Sequence, residues 1–226
     1  MSSSISRSKP SSKEPLKPSS RFLQPTFNRK DVEILETKTL FSGFFKMVSY
    51  ELKHKLFKGG WSRDIKRELF RRGEASAAVL YDPVNNLIGL VEQFRIGALE
   101  SEFGPWCLEV VAGMVEPNES VDDVIRREIE EEAGISAVEL RPISAYYSTP
   151  GACAEKVHLF CALCDLKDEG GVYGLDYEGE DIRFQTYTPD EVFSDMLHAR
   201  TNNAATLIGL QWLQLNIDTL RDSNRG

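Results

Sequence analysis

Gly113-Met-Val-Glu-Pro-Asn-Glu119-Ser-Val-Asp-Asp-Val-Ile-Arg-Arg127-Glu128-Ile129-Glu130-Glu131-Glu132-Ala-Gly134-Ile135 is the stretch on which the reading of this chain turns. A helix advances about 100° per residue. At that pitch Val121, Ile125, Ile129 and Ala133 form an apolar stripe. Glu128 and Glu132 stack on one side, with Glu131 beside them. Glu130 points nearly the opposite way, toward solvent. Carboxylates gathered on one ridge repel one another unless something positive sits among them, and oxygen donors of this kind suit hard cations. Gly134 is the expected left-handed stop of the helix. The loop from Gly113 to Asn118 brings the chain from a strand to the helix start. A run of glutamates alone reads more readily as a solvated surface face.

Outward from this helix, the apolar pattern predicts strands on both sides. Residues 31–37 and 43–54 alternate, and Ala77 to Tyr81 and Leu87 to Phe94 read as a hairpin around the turn Asp82-Pro83-Val84-Asn85-Asn86. Trp106 to Val111 reads as one strand, with others around 141–147, 157–165 and 182–187. Lys58-Gly59-Gly60 is a loop. Pro189 opens a helix running toward Arg200. Asn203 caps a last helix whose apolar positions include Leu207, Leu210, Leu213 and Leu215. Strands mixed with few helices predict an α/β fold, a mixed sheet sandwiched between helices.

The chain has 226 residues, 41% of them hydrophobic, enough for one domain with a smaller appended element. A net charge of -8 leaves no broad basic field for nucleic acid. No stretch approaches the ~20 apolar residues of a membrane span. Met1 to Ser20 is rich in Ser, Pro and Lys without an apolar core, so it reads as a disordered tail and not a secretory signal. Four cysteines give no dense disulfide framework, and a reducing cytoplasm fits best. Cys161 and Cys164, with His158 nearby, have zinc-like spacing. On a strand, however, the two point to opposite faces, and no second ligand pair stands at a suitable distance, so they read as buried small hydrophobes.

The stretch 113–135 resembles the Nudix box, G-x5-E-x7-R-E-U-x-E-E-x-G-U with U aliphatic, and every defined position matches. From about Asn28 to the C-terminal helix, the chain is also similar to bacterial ADP-ribose pyrophosphatases. The similar stretches include Phe44-Phe45, Lys66-Arg67-Glu68, Val91-Glu-Gln-Phe-Arg95, Glu109 through Glu116, Glu178-Gly-Glu180 and Leu210-Gln-Trp-Leu-Gln-Leu215. The resemblance implies the Nudix fold, with a disordered tail over 1–25, an N-terminal antiparallel strand element for dimerisation over 26–72 and the hydrolase domain over 73–226. It implies hydrolysis of ADP-ribose to AMP and ribose 5-phosphate by a homodimer. It also implies two or three Mg²⁺ ions as cofactor, with Mn²⁺ as a substitute. Bound Mg²⁺ would screen phosphate charge, activate a water and stabilise the leaving phosphate.

Residue by residue, the resemblance assigns metal ligation to the Ala112 carbonyl, Glu128, Glu131, Glu132 and Glu180. Glu178 matches the catalytic-base position, and Arg127 is counted with the catalytic residues. Phe44 and Arg67 match positions that hold adenine. Arg95, Met114 and Glu155 complete the substrate contacts, some of them serving the neighbouring subunit's site. The loop Ser148 to Glu155 departs from the pattern, with Ala152-Cys153-Ala154 where many members carry Gly, Thr and Ser. Without the resemblance, Phe44 reads as core, Arg67 as part of a solvated basic patch, and Glu178 and Glu180 as solvated acids. Two other functions stay open: a pyrophosphatase for another nucleotide sugar, or a Nudix-like sensor that binds a nucleotide without cleaving it.

Overall fold

The structure, a computed structural model, describes residues 24–136, 138–175, 177, 179–197 and 201–223. Most of the expected tail over 1–25 lies outside them, as does Glu178.

The strand at the centre explains the rest. β4 (Glu74–Asp82) is buried continuously from Ser76 onward. Its near-unbroken apolar run suits a strand covered on both faces. It pairs in parallel with β9 (Lys156–Leu163) and antiparallel with β5 (Leu87–Phe94), which makes the sheet mixed. The full sheet has eight strands. β10 (Gly171–Tyr173), β11 (Ile182–Tyr187), β5, β4, β9 and β8 (Glu139–Tyr147) run in that spatial order. β6 (Trp106–Glu109) is added on β5, and β7 (Val111–Met114) on β4.

Side chains alternate across this sheet, and each face has its own core. Val79, Tyr81, Leu90 and Cys161 pack with Val192 of α2 (Pro189–Leu197) and with Leu210 and Leu213 of α3 (Ala204–Ser223). Ala78, Leu80, Val91 and Phe160 pack with Ile125 and Ile129 of α1 (Val121–Ala133). The sheet is therefore sandwiched between helices, as the pattern predicts. Cys161 and Cys164 fall into opposite cores, and burial raises each thiol pKa to about 12. They behave as small hydrophobes.

The hairpin between β4 and β5 is held by one buried carboxylate. Asp82 Oδ1 accepts from the Val84 and Asn85 amides at 2.8 and 2.9 Å, and Oδ2 from Asn85 Nδ2 at 2.7 Å and the Leu166 amide at 2.9 Å. Burial alone would raise its pKa, but these hydrogen bonds together hold it below the usual value.

Several expectations need correction. The predicted strand 106–111 is two strands, because the chain changes partner at Val110, from β5 to β4. The freed Val110 amide donates to Thr206 Oγ1 at 3.0 Å. Phe44 and Phe45 lie in the turn between β1 (Val32–Ser42) and β2 (Lys46–His54), not in a strand. β3 (Ile65–Arg71) was hidden by its charges and β10 by its brevity. Leu215 is 85% exposed, on the outer side of α3 from Leu210 and Leu213. The first helix after Pro189 is described to Leu197, and residues 198–200 lie outside the described residues. Asn203 does cap the last helix, accepting from the Thr206 amide at 3.1 Å.

β1, β2 and β3 form a separate antiparallel sheet. Almost all of β1 is exposed, and Phe41 and Phe44 are 64% and 86% exposed. This sheet is stitched to the larger one at Phe70. The Phe70 amide donates to the Ala152 carbonyl at 2.8 Å, and Ala154 N–H donates back to the Phe70 carbonyl at 3.0 Å.

Candidate active site

The partner change at Val110 carries Ala112, Gly113 and Met114 along the edge of α1. Helix α1 begins at Ser120, whose hydroxyl accepts from the Asp123 amide at 3.1 Å. It ends at Gly134, at φ 72°, whose amide donates to the Glu130 carbonyl at 3.0 Å. The apolar stripe is as expected: Ile125, Ile129 and Ala133 are fully buried, and Glu130 is exposed.

The carboxylate ridge faces β7. Glu132 is 3% exposed, and its Oε2 accepts from the Ala112 amide at 3.3 Å. Glu128 lies so close to the strand that a Cβ on Gly113 would sit 1.8 Å from its Oε1. Only glycine lets the carboxylate occupy that place. Arg127 gathers the other acids. Its Nη1 donates to Glu131 at 2.9 Å and contacts Glu128 at 2.9 Å, while Nη2 lies 3.5 Å from Glu119.

Burial raises the pKa of Glu132 to about 8, and the Glu128 and Glu180 charges push the same way against Arg95 and the Ala112 amide. Glu128 is also raised, by burial first, with Arg127 opposing and Glu131 and Glu180 adding repulsion. These acids feel one another across a poorly solvated space. Among the described residues, no three of them already close into a cage. Glu128 and Glu131 turn to Arg127, and Glu132 to the Ala112 amide. The donors are all oxygens on a rigid helix and strand, and their mutual repulsion falls when a positive ion enters. That chemistry fits a hard divalent cation.

Glu180 reaches this place on a loop with a tight neck. Its carboxylate accepts from the Leu175 amide at 3.3 Å, and a Cβ on Gly174 would meet its Cβ at 2.8 Å. The Gly174 amide donates to the Glu131 carbonyl at 3.4 Å, tying the loop to α1. Arg95 follows β5 and pairs through Nε with Glu109 Oε2 at 2.8 Å. Met114, half-buried, ends β7.

A second group gathers at the N-terminal sheet and the loop between β8 and β9 that meets it. Phe44 stacks edge-on to Phe45 at 4.7 Å. Arg67 is exposed on β3. Glu155 pairs with Arg72 Nε at 3.0 Å. Among the described residues, no hydrogen bond or ion pair joins this group to the ridge.

Sequence reasoning missed three features here: Arg127 as the organiser of Glu119 and the ridge, Glu109 as the partner of Arg95, and Gln93. The Gln93 Nε2 is the one buried side-chain nitrogen or oxygen without a partner among the described residues. The signal for Glu109 and Gln93 was available, since both are polar residues inside apolar runs.

The NUDIX domain family matches residues 71–208, more than half of the chain. This chain belongs to the Nudix family. It is 43% identical over 200 residues to an ADP-ribose pyrophosphatase of Haemophilus influenzae, covering 87% of this chain and 92% of the relative. Similarity to the ADP-ribose pyrophosphatase of Escherichia coli K12 is 39% identity over 200 residues, covering 88% and 96%. A GDP-mannose pyrophosphatase of Pectobacterium atrosepticum is 30% identical over 185 residues, covering 80% and 92%. Among solved structures, an ADP compounds hydrolase shares the Nudix fold with a TM-score of 0.61 at 22% identity, covering 86% of this chain and 97% of that one. Among the described residues no helix is long and apolar enough to cross a membrane.

Proposed function

We propose that this Nudix enzyme hydrolyses the pyrophosphate bond of ADP-ribose, releasing AMP and ribose 5-phosphate. One observation carries the reading. The 39–43% identity to ADP-ribose pyrophosphatases runs over 200 residues, far outside the box, while the GDP-mannose pyrophosphatases reach only 27–30%. A phosphorus-NMR product assay tests it. ADP-ribose should disappear into two phosphomonoester signals, and an unchanged pyrophosphate doublet would refute it.

The Ala112 carbonyl, Glu128, Glu131, Glu132 and Glu180 would hold Mg²⁺, two or three ions in all, with Mn²⁺ as a substitute. Bound divalent ions supply charge screening and an activated water. Arg127 keeps Glu128 and Glu131 aligned on the helix. Arg95 and Met114 would contact the substrate near the ridge. Glu178, which lies outside the described residues, would accept the proton of the attacking water. The helix carboxylates are poorer candidates, because metal ligation would occupy their lone pairs, whereas Glu178 falls in sequence between Gly174 and Glu180, away from residues 121–133. Glu178→Gln should lower kcat by roughly 10²–10⁴-fold with KM within a few-fold. Near-normal kcat would move the base elsewhere, first to Glu155.

Phe44 and Arg67 would hold adenine, since an aromatic ring and a guanidinium each stack on a purine face. We further read the enzyme as a cytoplasmic homodimer. The exposed apolar side chains of β1 and the following turn, Ile34, Leu35, Leu40, Phe41 and Phe44, support an intersubunit surface. Light scattering at micromolar concentration should give twice the chain mass.

A further inference from the structure

Arg71 and Arg72 are neighbours with different partners. The Arg71 guanidinium bonds the Tyr50 hydroxyl and lies 5.8 Å from that ring, within the N-terminal sheet. Arg72 stands at the joint between the two sheets, just before Gly73 turns the chain at φ 88°. Its guanidinium does two things at once. It lies 5.4 Å over the Phe45 ring, and its Nε is 3.0 Å from Glu155 Oε1.

Each partner is itself fixed. Phe45 is packed edge-on by Phe44 at 4.7 Å and by Phe70 at 5.1 Å. The Glu155 loop is closed at its base by Ser148 N–H donating to the Glu155 carbonyl at 3.2 Å. Its tip is held by the two backbone bonds to Phe70. Ala152 and Ala154 bond Phe70 through their backbone at that tip, and Glu155 is the one charged residue of the stretch 148–155. A planar guanidinium suits this position because it can stack on a ring and donate to a carboxylate together.

We propose that Arg72 is a positioning residue that locks Glu155 to the aromatic turn at Phe44 and Phe45, so that one side chain sets both contacts for the substrate. This rests on reading Phe44 and Glu155 as contacts of ADP-ribose. Arg72 acts through them and does not touch the reacting phosphates.

The test is calorimetric binding of ADP-ribose to the full chain with metal chelated, alongside steady-state kinetics in Mg²⁺. R72M should weaken binding and raise KM by roughly tenfold, the scale of a lost charge-assisted contact, with kcat within about threefold. R72K should recover part of that loss. R72M/E155Q should bind no more weakly than the worse single variant, because both changes remove one coupling. R72Q replaces R72M, with the same expectations, if R72M does not fold. Wild-type binding in R72M, a fall in kcat at unchanged KM, no recovery in R72K, or additive losses in the double variant would each overturn the proposal and leave the substrate reading standing. A wild-type protein that neither binds nor cleaves ADP-ribose overturns that reading, and the proposal with it.

Discussion

The eight-stranded sheet and the three-stranded sheet manage their apolar side chains in opposite ways. In the larger sheet, β4 is covered on both faces and its central residues are fully buried. In the smaller sheet, Val48 is the buried hydrophobic residue among those described, and the apolar side chains of β1 face outward. The larger sheet completes its own core, which gives it the rigidity to hold a crowded set of carboxylates. The smaller one has surface to offer. In the proposed function the metal-binding carboxylates belong to the first, with Arg95 and Met114 beside them, and the adenine contacts Phe44 and Arg67 belong to the second.

The largest effect should come from the ridge. Glu132→Gln and Glu128→Gln keep shape and remove charge, so kcat for ADP-ribose should fall by several orders of magnitude while circular dichroism stays native. Glu130→Gln, on the exposed side of the same helix, should change little. Similar losses in all three would mean that general helix charge matters and the ridge does not.

Next is Gly113→Ala. The new Cβ would have to displace the Glu128 carboxylate, the movable end of a side chain, so the fold should survive. Displacing a ligand by about 1 Å can cost roughly 10²-fold in turnover. Normal kcat in a folded G113A protein would show that the approach of Glu128 to β7 is incidental.

The smaller sheet should respond in binding. Phe44→Ala and Arg67→Ala should each raise KM by about 1–3 kcal/mol in free-energy terms, the worth of a base stacked on a side chain, with kcat nearly unchanged. If they lowered kcat instead, recognition and chemistry would not divide between the sheets as described.

A smaller effect, in stability alone, is expected at Asp82. Its pKa is depressed in the folded state, so it stabilises the fold above the ordinary aspartate range, and that contribution is lost as pH falls through its folded value. Asp82→Ala should lower the unfolding free energy at pH 7 by about 1–3 kcal/mol, because the buried Leu166 amide and two amides of the turn lose their acceptor. The gap from wild type should narrow in acid. A gap independent of pH would assign the loss to packing.

Legibility in the sequence followed the same division. The helix 121–133, its stripe and its stop at Gly134 could be read because periodicity, spacing and capping agree there. β4 and β5 were legible because buried strands leave continuous apolar runs. β3 was not, since a strand exposed on one side and crowded with Lys66, Arg67, Glu68 and Arg71 carries no such run. The switch at Val110 was invisible because a change of hydrogen-bonding partner leaves no mark on side-chain pattern. The ridge carboxylates were legible as a set. The ion pairs Arg95–Glu109 and Arg72–Glu155 join residues far apart in the chain, and only the fold brings them together.

The substrate is decided by the ratio of kcat/KM for ADP-ribose to that for GDP-mannose, measured in Mg²⁺ on the wild-type protein. The expected ratio strongly favours ADP-ribose, with AMP and ribose 5-phosphate as products. An equal or greater kcat/KM for GDP-mannose would contradict it.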